Sequence, residues 1–157
     1  MENNESAALT AFALFLIASI TDYLDGILAR KYGESQFGIV FDPIADKILV
    51  VSILILLVKH DIASILASSV IILREIIISG IREKLATSNI IVRVSKLAKV
   101  KTSFQMISIM ILIISYGIPE NIYINEFGNI FLSIAAIIAL YTAIIYIKDN
   151  SREIFKL

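Results

Sequence analysis

Five apolar stretches, all rich in Ile and Leu, follow one another along the chain and are separated by short polar connections. A hydrocarbon core about 30 Å thick needs about 20 mostly apolar helical residues to cross it. The stretches lack the strict alternation of a membrane β-strand, so we predict an all-α bundle of five transmembrane helices. They cover residues 7–20, which continue as helix to residue 31, and then residues 43–58, 62–81, 102–116 and 127–147.

Basic residues predict how this bundle is oriented. Arg30 and Lys31 follow the first stretch, six Lys or Arg residues lie between the third and fourth, and three follow the fifth. The opposite connections hold Lys59 alone and no basic residue between positions 117 and 126. The positive-inside rule then places the basic connections in the cytoplasm and the N-terminus outside.

The connection between the third and fourth stretches, residues 85–98, is too polar to span a membrane. Its apolar residues recur at helical spacing, with Arg93 and Lys96 on the opposite face. This pattern predicts an amphipathic helix on the cytoplasmic surface, and the alternative is a solvated linker.

Composition excludes several classes of protein. Apolar residues make up 58% of the chain, only 18% are charged, and the mean hydropathy is +0.87. These values are typical of neither a soluble nor a disordered chain. Cysteine is absent, which excludes a disulfide scaffold, and 14 acidic residues balance 14 basic ones, which gives no indication of nucleic-acid binding. We therefore predict a single integral membrane domain over residues 1–157.

Four aspartates lie where the predicted first and second helices meet the cytoplasm. Asp22 and Asp25 are three residues apart, and Asp42 and Asp46 are four apart, so each pair shares a helix face. A reversal of the chain through Gly33 to Gly38 would make the two helices antiparallel neighbours. Four converging carboxylates repel one another unless cations bridge them, and carboxylate-only ligation suits Mg²⁺, Mn²⁺ or Ca²⁺.

Each of these residues also has a structural explanation. Asp22 and Asp25 could be solvated residues at a helix end, and Asp46 could pair with Lys47 or Arg30. Asp42 before Pro43 is a typical N-cap with proline at the first helical position. Gly26 could be a helix-packing contact, and Gly33 a C-cap. Together, however, the residues form the pattern Asp22-x2-Asp25-Gly26-x2-Ala29-Arg30-x7-Gly38-x3-Asp42-x3-Asp46.

This pattern closely resembles the signature of the CDP-alcohol phosphatidyltransferase family. Residues 41–47, 73–76, 79–82 and 99–102 are similar to the family branch that uses glycerol 3-phosphate. The resemblance implies transfer of the phosphatidyl group from CDP-diacylglycerol to that alcohol, with release of CMP. It implies two ions, Mg²⁺ or Mn²⁺, on four aspartates, and the remaining roles follow from the same pattern. The metal ligands would be Asp22, Asp25, Asp42 and Asp46. Asp46 would also act as the base on the acceptor hydroxyl. The donor would be bound by Gly26, Ala29, Arg30 and Gly38.

The acceptor is a small dianion, so its site needs Arg or Lys. Arg74 is predicted about 10 Å below the cytoplasmic end of its helix, where a charge is costly unless it faces the bundle interior. The alternative is a structural pair with Asp25, Asp42 or Glu75. Arg82 and Lys101 are expected at the cytoplasmic rim, and their alternative role is contact with lipid phosphates. Lys99 is a further candidate, whereas His60 is expected to be an outer loop residue.

Other functions remain open from the sequence. The same chemistry could use inositol phosphate or serine as the acceptor. A divalent-cation transporter would need polar residues across the whole membrane, and here they stop at the cytoplasmic edge. A scaffold without activity would leave the intact signature unexplained. We expect a homodimer in the bacterial inner membrane, with a cytoplasmic active site, lipid and glycerol 3-phosphate as partners, and no nucleic acid.

The predicted topology differs from that of the resembled family in one respect. Family members usually have six helices with both termini in the cytoplasm, and a helix precedes the one that carries the signature. This chain begins at the signature-bearing helix. We therefore expect an N-terminally shortened domain, or a partner subunit that supplies the missing helix.

Overall fold

A computed structural model describes residues 6, 10, 12–15, 17, 20–21, 36–87, 96–118 and 121–154, without the side chains at 36–43, 45–46, 87, 96 and 152. Within these ranges every regular element is a helix and no strand is present, which confirms the predicted all-α fold. The described residues before position 22 are helical. They are followed by helices α1 (Gln36–Lys59), α2 (Ile65–Thr87), α3 (Lys96–Gly117), α4 (Ile122–Asp149) and the short α5 (Ser151–Ile154).

Helix α1 begins earlier than the sequence predicted. It starts at Gln36, so Asp42 and Pro43 lie inside the helix and not at its N-terminus. The N-cap explanation of Asp42 is therefore wrong, and the chain reversal cannot extend to Gly38, which is helical. Proline lacks an N–H, so the helical hydrogen bond to the carbonyl of Ile39 is lost at this point.

Large apolar side chains cover the outside of the bundle as well as its core. Leu54, Ile71 and Leu132 are fully buried between helices. Outward-facing residues are apolar too, for example Leu66 and Ile137, which are 77% and 69% exposed. Two described helices, Leu97–Gly117 and Ile122–Asp149, are long and apolar enough to cross a membrane. An apolar exterior on helices of this length is the surface that lipid chains solvate.

Helices α3 and α4 pack closely because small residues line the inner face of α4. Gly128, Ala135 and Ala139 are among its buried residues, and the side chain of Leu112 lies directly over Gly128. Ser108 of α3 donates a hydrogen bond of 2.8 Å to the carbonyl oxygen of Gly128. In a membrane, where apolar contacts gain little over lipid, such close approach and interhelical hydrogen bonds hold helices together.

The connection between α1 and α2 is tied to α4. Asp61 adopts a left-handed conformation with φ of 57°, and the N–H of Ile62 bonds to the carbonyl of Leu57 at 2.9 Å, as in a Schellman C-cap. The Asn129 side chain donates to the Ile62 carbonyl at 2.8 Å and accepts from the N–H of Ser64 at 2.7 Å. His60 lies in this turn, which confirms that it is a loop residue.

Candidate active site

The aspartates that were predicted to bind metal ions lie at the limit of the described residues or outside them. Asp42 and Asp46 are both in α1, one helical turn apart, so they share a helix face. Their side chains lie outside the described set, as do Asp22, Asp25 and the donor-site candidates at positions 26, 29 and 30. Gly38 lies in the first turn of α1, and its surroundings are likewise not described. Convergence of the four carboxylates therefore stays a prediction.

The turn that carries Asp46 is held against α2 by the next residue. The Nζ of Lys47 donates a hydrogen bond to the Oγ of Ser79. Lys47 is half-buried, as is Ser79. This contact fixes which part of α2 faces the end of α1 that carries the aspartates, and Glu75 lies one turn away from Ser79 on the same helix.

Three charged residues meet between α2 and α3. The Nη1 of Arg74 donates to the Oε1 of Glu75 at 2.9 Å, and the Nζ of Lys101 donates to the same oxygen. Exposure is only 9% for Arg74, 18% for Glu75 and 3% for Lys101. A salt-bridged pair of Arg74 with Glu75 was one of the alternatives from the sequence, and it is present. Lys101 was predicted at the cytoplasmic rim, with contact to lipid phosphates as its alternative role, and its buried side chain contradicts that alternative role.

A small polar cavity joins the two sets of contacts. It has a volume of about 40 Å³, and its polar lining is Lys47, Glu75, Lys101, Thr102 and Gln105. This volume suits a water molecule and not a whole acceptor. Among the described atoms, the buried Oε1 of Gln105 and the buried Nε of Arg74 have no hydrogen-bond partner. Buried polar atoms usually have a partner, so each of these two atoms could take part in a further hydrogen bond.

The other two acceptor candidates are at the edge of this region. Lys99 is exposed and lines a groove of about 410 Å³ together with Thr102 and Met106, which also line the small cavity. Arg82 is exposed, and its guanidinium carbon is 5.6 Å from the centre of the Tyr146 ring. The structure thus brings Arg74 and Lys101 together and leaves Lys99 and Arg82 outside their shared contact.

The sequence did not identify Lys47, Ser79 or Gln105 as site residues, and it indicated Glu75 only as a possible partner of Arg74. A signal for Glu75 was present, because an acidic residue at membrane depth is a functional candidate in its own right. Gln105 lies one helical turn after Lys101, so it shares a face with it. The pairing of Glu75 with Lys101 spans 26 residues, and no local pattern predicts a contact of that range.

The arrangement is chemically suited to an anion. Two buried cations share one carboxylate oxygen, so the described cluster has an excess of positive charge. The arginine side chain carries five N–H donors, and Glu75 accepts a hydrogen bond from only one nitrogen of Arg74, Nη1. A phosphate, with several acceptor oxygens and two negative charges, is the ligand class that this arrangement favours.

Known proteins similar to this chain agree with one another. The model of the CDP-alcohol phosphatidyltransferase family matches residues 2–146. A protein of Rickettsia felis named CDP-diacylglycerol–glycerol-3-phosphate 3-phosphatidyltransferase is 44% identical over 147 residues, which are 93% of this chain and 81% of that protein. Proteins of the same name from Haemophilus influenzae and Bacillus subtilis are 38% and 36% identical, each over 92% of this chain and over 78% and 75% of their own lengths. This chain therefore belongs to the CDP-alcohol phosphatidyltransferase family.

Proposed function

We propose that this protein transfers the phosphatidyl group of CDP-diacylglycerol to glycerol 3-phosphate, which yields phosphatidylglycerophosphate and CMP. The observation that carries this proposal is similarity over 93% of the chain to a protein named for that reaction. The buried contacts of Arg74 and Lys101 with Glu75 support it independently, because they leave an excess of positive charge near the end of α1 that carries Asp46. A neutral acceptor such as serine would not require that charge.

For the donor, we propose that Gly26, Ala29, Arg30 and Gly38 hold the cytidine nucleotide. Glycine and alanine remove side-chain bulk where a ligand must approach the backbone, and an arginine can bind the pyrophosphate. For the acceptor, we propose Arg74 and Lys101 as the main phosphate-binding residues. Arg82 and Lys99, which are both exposed at the same end of the bundle, would attract the anion toward them.

We propose that two Mg²⁺ or Mn²⁺ ions are held by Asp22, Asp25, Asp42 and Asp46. The family in general depends on divalent metal ions. The donor set fits, because these ions prefer carboxylate oxygens and Asp42 and Asp46 are one turn apart on one helix. When bound, such ions would neutralise charge on the pyrophosphate of the donor.

In the proposed reaction the Asp46 carboxylate accepts the proton of the acceptor hydroxyl. The acceptor oxygen forms a bond to the phosphorus of the phosphatidyl group, and the bond from that phosphorus to the oxygen of CMP breaks. CMP leaves with the electron pair, and Asp46 then releases its proton to water. Arg74 and Lys101 would hold the acceptor phosphate and so orient the hydroxyl toward the phosphorus.

We also propose that the protein is a homodimer in the bacterial inner membrane, with the site facing the cytoplasm. Two long apolar helices and the outward-facing apolar residues support membrane insertion. The excess of Lys and Arg in the connections beside the site supports the orientation. Crosslinking in native membranes would test the dimer, and protease protection of a C-terminal tag in inverted and right-side-out vesicles would test the orientation.

The proposed function is tested by measuring CMP release from CDP-diacylglycerol by the purified protein with a panel of acceptors. The panel holds glycerol 3-phosphate, inositol phosphate, serine and no acceptor. We expect the rate of CMP release with glycerol 3-phosphate to be at least tenfold higher than with each of the others. A tenfold rate ratio corresponds to about 1.4 kcal/mol in transition-state free energy. If inositol phosphate or serine were preferred, the proposed phosphatidyl transfer would stand, but glycerol 3-phosphate would not be the acceptor. No CMP release with any acceptor in the presence of metal would contradict the proposed function.

A further inference from the structure

One carboxylate oxygen gathers cations from two helices. The Oε1 of Glu75 accepts from Arg74, its neighbour on α2, and from Lys101 on α3. Lys101 is one of the most buried charged residues in the described structure, at 3% exposure. Without an anion between them, two buried cations so close together would repel each other and would lose their hydration with no compensation.

Glu75 leaves Arg74 able to bind a second anion. Its contact with Arg74 uses Nη1, while the Nε of Arg74 is buried without a partner among the described atoms. Lys47 lines the same small cavity and adds a third positive charge. Among the described residues, three cations and one carboxylate leave an excess of positive charge, which favours an anion such as phosphate.

Taking the proposed function as its basis, we propose that Glu75 is a positioning residue for the acceptor site. It holds Arg74 and Lys101 in one place before the acceptor arrives, so that glycerol 3-phosphate meets a preorganised pair of cations. Preorganisation strengthens binding because the ordering cost is met during folding and not during binding. Glu75 itself need not touch the acceptor.

The first test is the variant Glu75→Gln, which keeps the size of the side chain and removes its charge. We expect the KM for glycerol 3-phosphate to rise at least about tenfold, the scale of one lost charge-assisted hydrogen bond, with the KM for CDP-diacylglycerol within about twofold of wild type. Glu75→Asp keeps the charge with a shorter reach and should give an intermediate KM. KM does not depend on the amount of active protein, so partial loss of folded enzyme would not mimic this result.

The matched control is Ser108→Ala, which removes a buried hydrogen bond of α3 that lies away from the cluster. It should reduce stability and leave both KM values unchanged. Inorganic phosphate serves as a second probe, because it presents the acceptor's charge without its hydroxyl. Its inhibition constant against glycerol 3-phosphate should rise in Glu75→Gln by the same factor as the KM.

The second test asks whether Glu75 acts through Lys101. In a Lys101→Met background the further change Glu75→Gln should raise the acceptor KM by a smaller factor than it does in the wild-type background, because only Arg74 remains to be positioned. The positioning role would be overturned if the factors by which the two single variants raise the acceptor KM simply multiplied in the double variant. It would also be overturned if Glu75→Gln raised the KM values of both substrates equally.

The two proposals fail in distinguishable ways. If the wild-type protein does not use glycerol 3-phosphate, the proposed function fails before any variant is measured, and the role of Glu75 falls with it. If the wild type uses glycerol 3-phosphate and Glu75→Gln leaves its KM unchanged, only the positioning role of Glu75 is overturned.

Discussion

Replacing Gly128 by alanine tests whether close contact between α3 and α4 stabilises the bundle. A Cβ atom built at Gly128 would lie 2.7 Å from Cδ2 and 2.9 Å from Cγ of Leu112, and 3.2 Å from Cγ2 of Ile111. Leu112 is fully buried, so it has no open space into which to move. The helices would have to separate, which would also lengthen the hydrogen bond from Ser108 to the Gly128 carbonyl.

Two opposing effects decide the magnitude. Inserting a methyl group into a packed core costs about 1–3 kcal/mol. Alanine in place of glycine in a helix contributes about 1 kcal/mol in the opposite direction. We therefore expect a net loss of up to about 2 kcal/mol, and with a melting temperature shift of about 2–4 °C per kcal/mol for a chain of this size, Tm should fall by several degrees.

The matched control is Gly80→Ala in α2. A Cβ atom at Gly80 meets nothing within 4 Å, so only the gain in helix propensity remains, and Tm should rise slightly. Both variants are measured by the loss of helical circular dichroism on heating in detergent micelles. The double variant Gly128→Ala/Leu112→Ala should lose less stability than the sum of the losses of the two single variants, since Leu112→Ala opens the space that the new methyl group needs. A Tm of Gly128→Ala equal to or above that of Gly80→Ala would refute the packing argument.

Three further predictions concern the site and the outer connection. Removal of divalent ions with EDTA should abolish CMP release, and Mg²⁺ or Mn²⁺ should restore it; full activity in metal-free buffer would contradict the proposed metal site. Arg82→Ala should raise the KM for the acceptor more than that for CDP-diacylglycerol, because an exposed cation at this edge attracts the anion, and an equal rise would exclude that role. Asp61→Gly should stabilise the protein by about 0.5–1 kcal/mol, because glycine adopts a φ of 57° without a steric cost; a lower Tm on heating would contradict this.

The sequence predicted the helical fold because long apolar runs have few alternatives in a membrane. The start of α1, however, was not predicted correctly. Residues 37–41 are apolar, so hydrophobicity marks no boundary at Pro43, but Asp42 followed by Pro43 resembles the N-cap and first residue of a helix. In the structure the proline is inside α1, and only the three-dimensional arrangement distinguishes the two cases.

The site was predictable in its residue types and less so in its contacts. Arg74 was predicted to face the bundle interior, and it is buried there. Lys101 was expected at the rim because basic residues next to a membrane usually face water or lipid phosphates. Its burial depends on Glu75, which is 26 residues away in the chain, and that compensation becomes visible only when α2 and α3 are packed together.

The proposed reaction is measured most directly as transfer of radiolabelled glycerol 3-phosphate into organic-soluble lipid by the purified protein. With CDP-diacylglycerol and Mg²⁺ present, we predict labelled phosphatidylglycerophosphate and CMP in a one-to-one ratio. Asp46→Asn, which retains the size of the side chain and removes the base, should reduce the rate by about 10²–10⁴-fold. Absence of labelled lipid in the wild-type reaction would contradict the proposed transfer, and undiminished transfer by Asp46→Asn would contradict the role of Asp46 as the base.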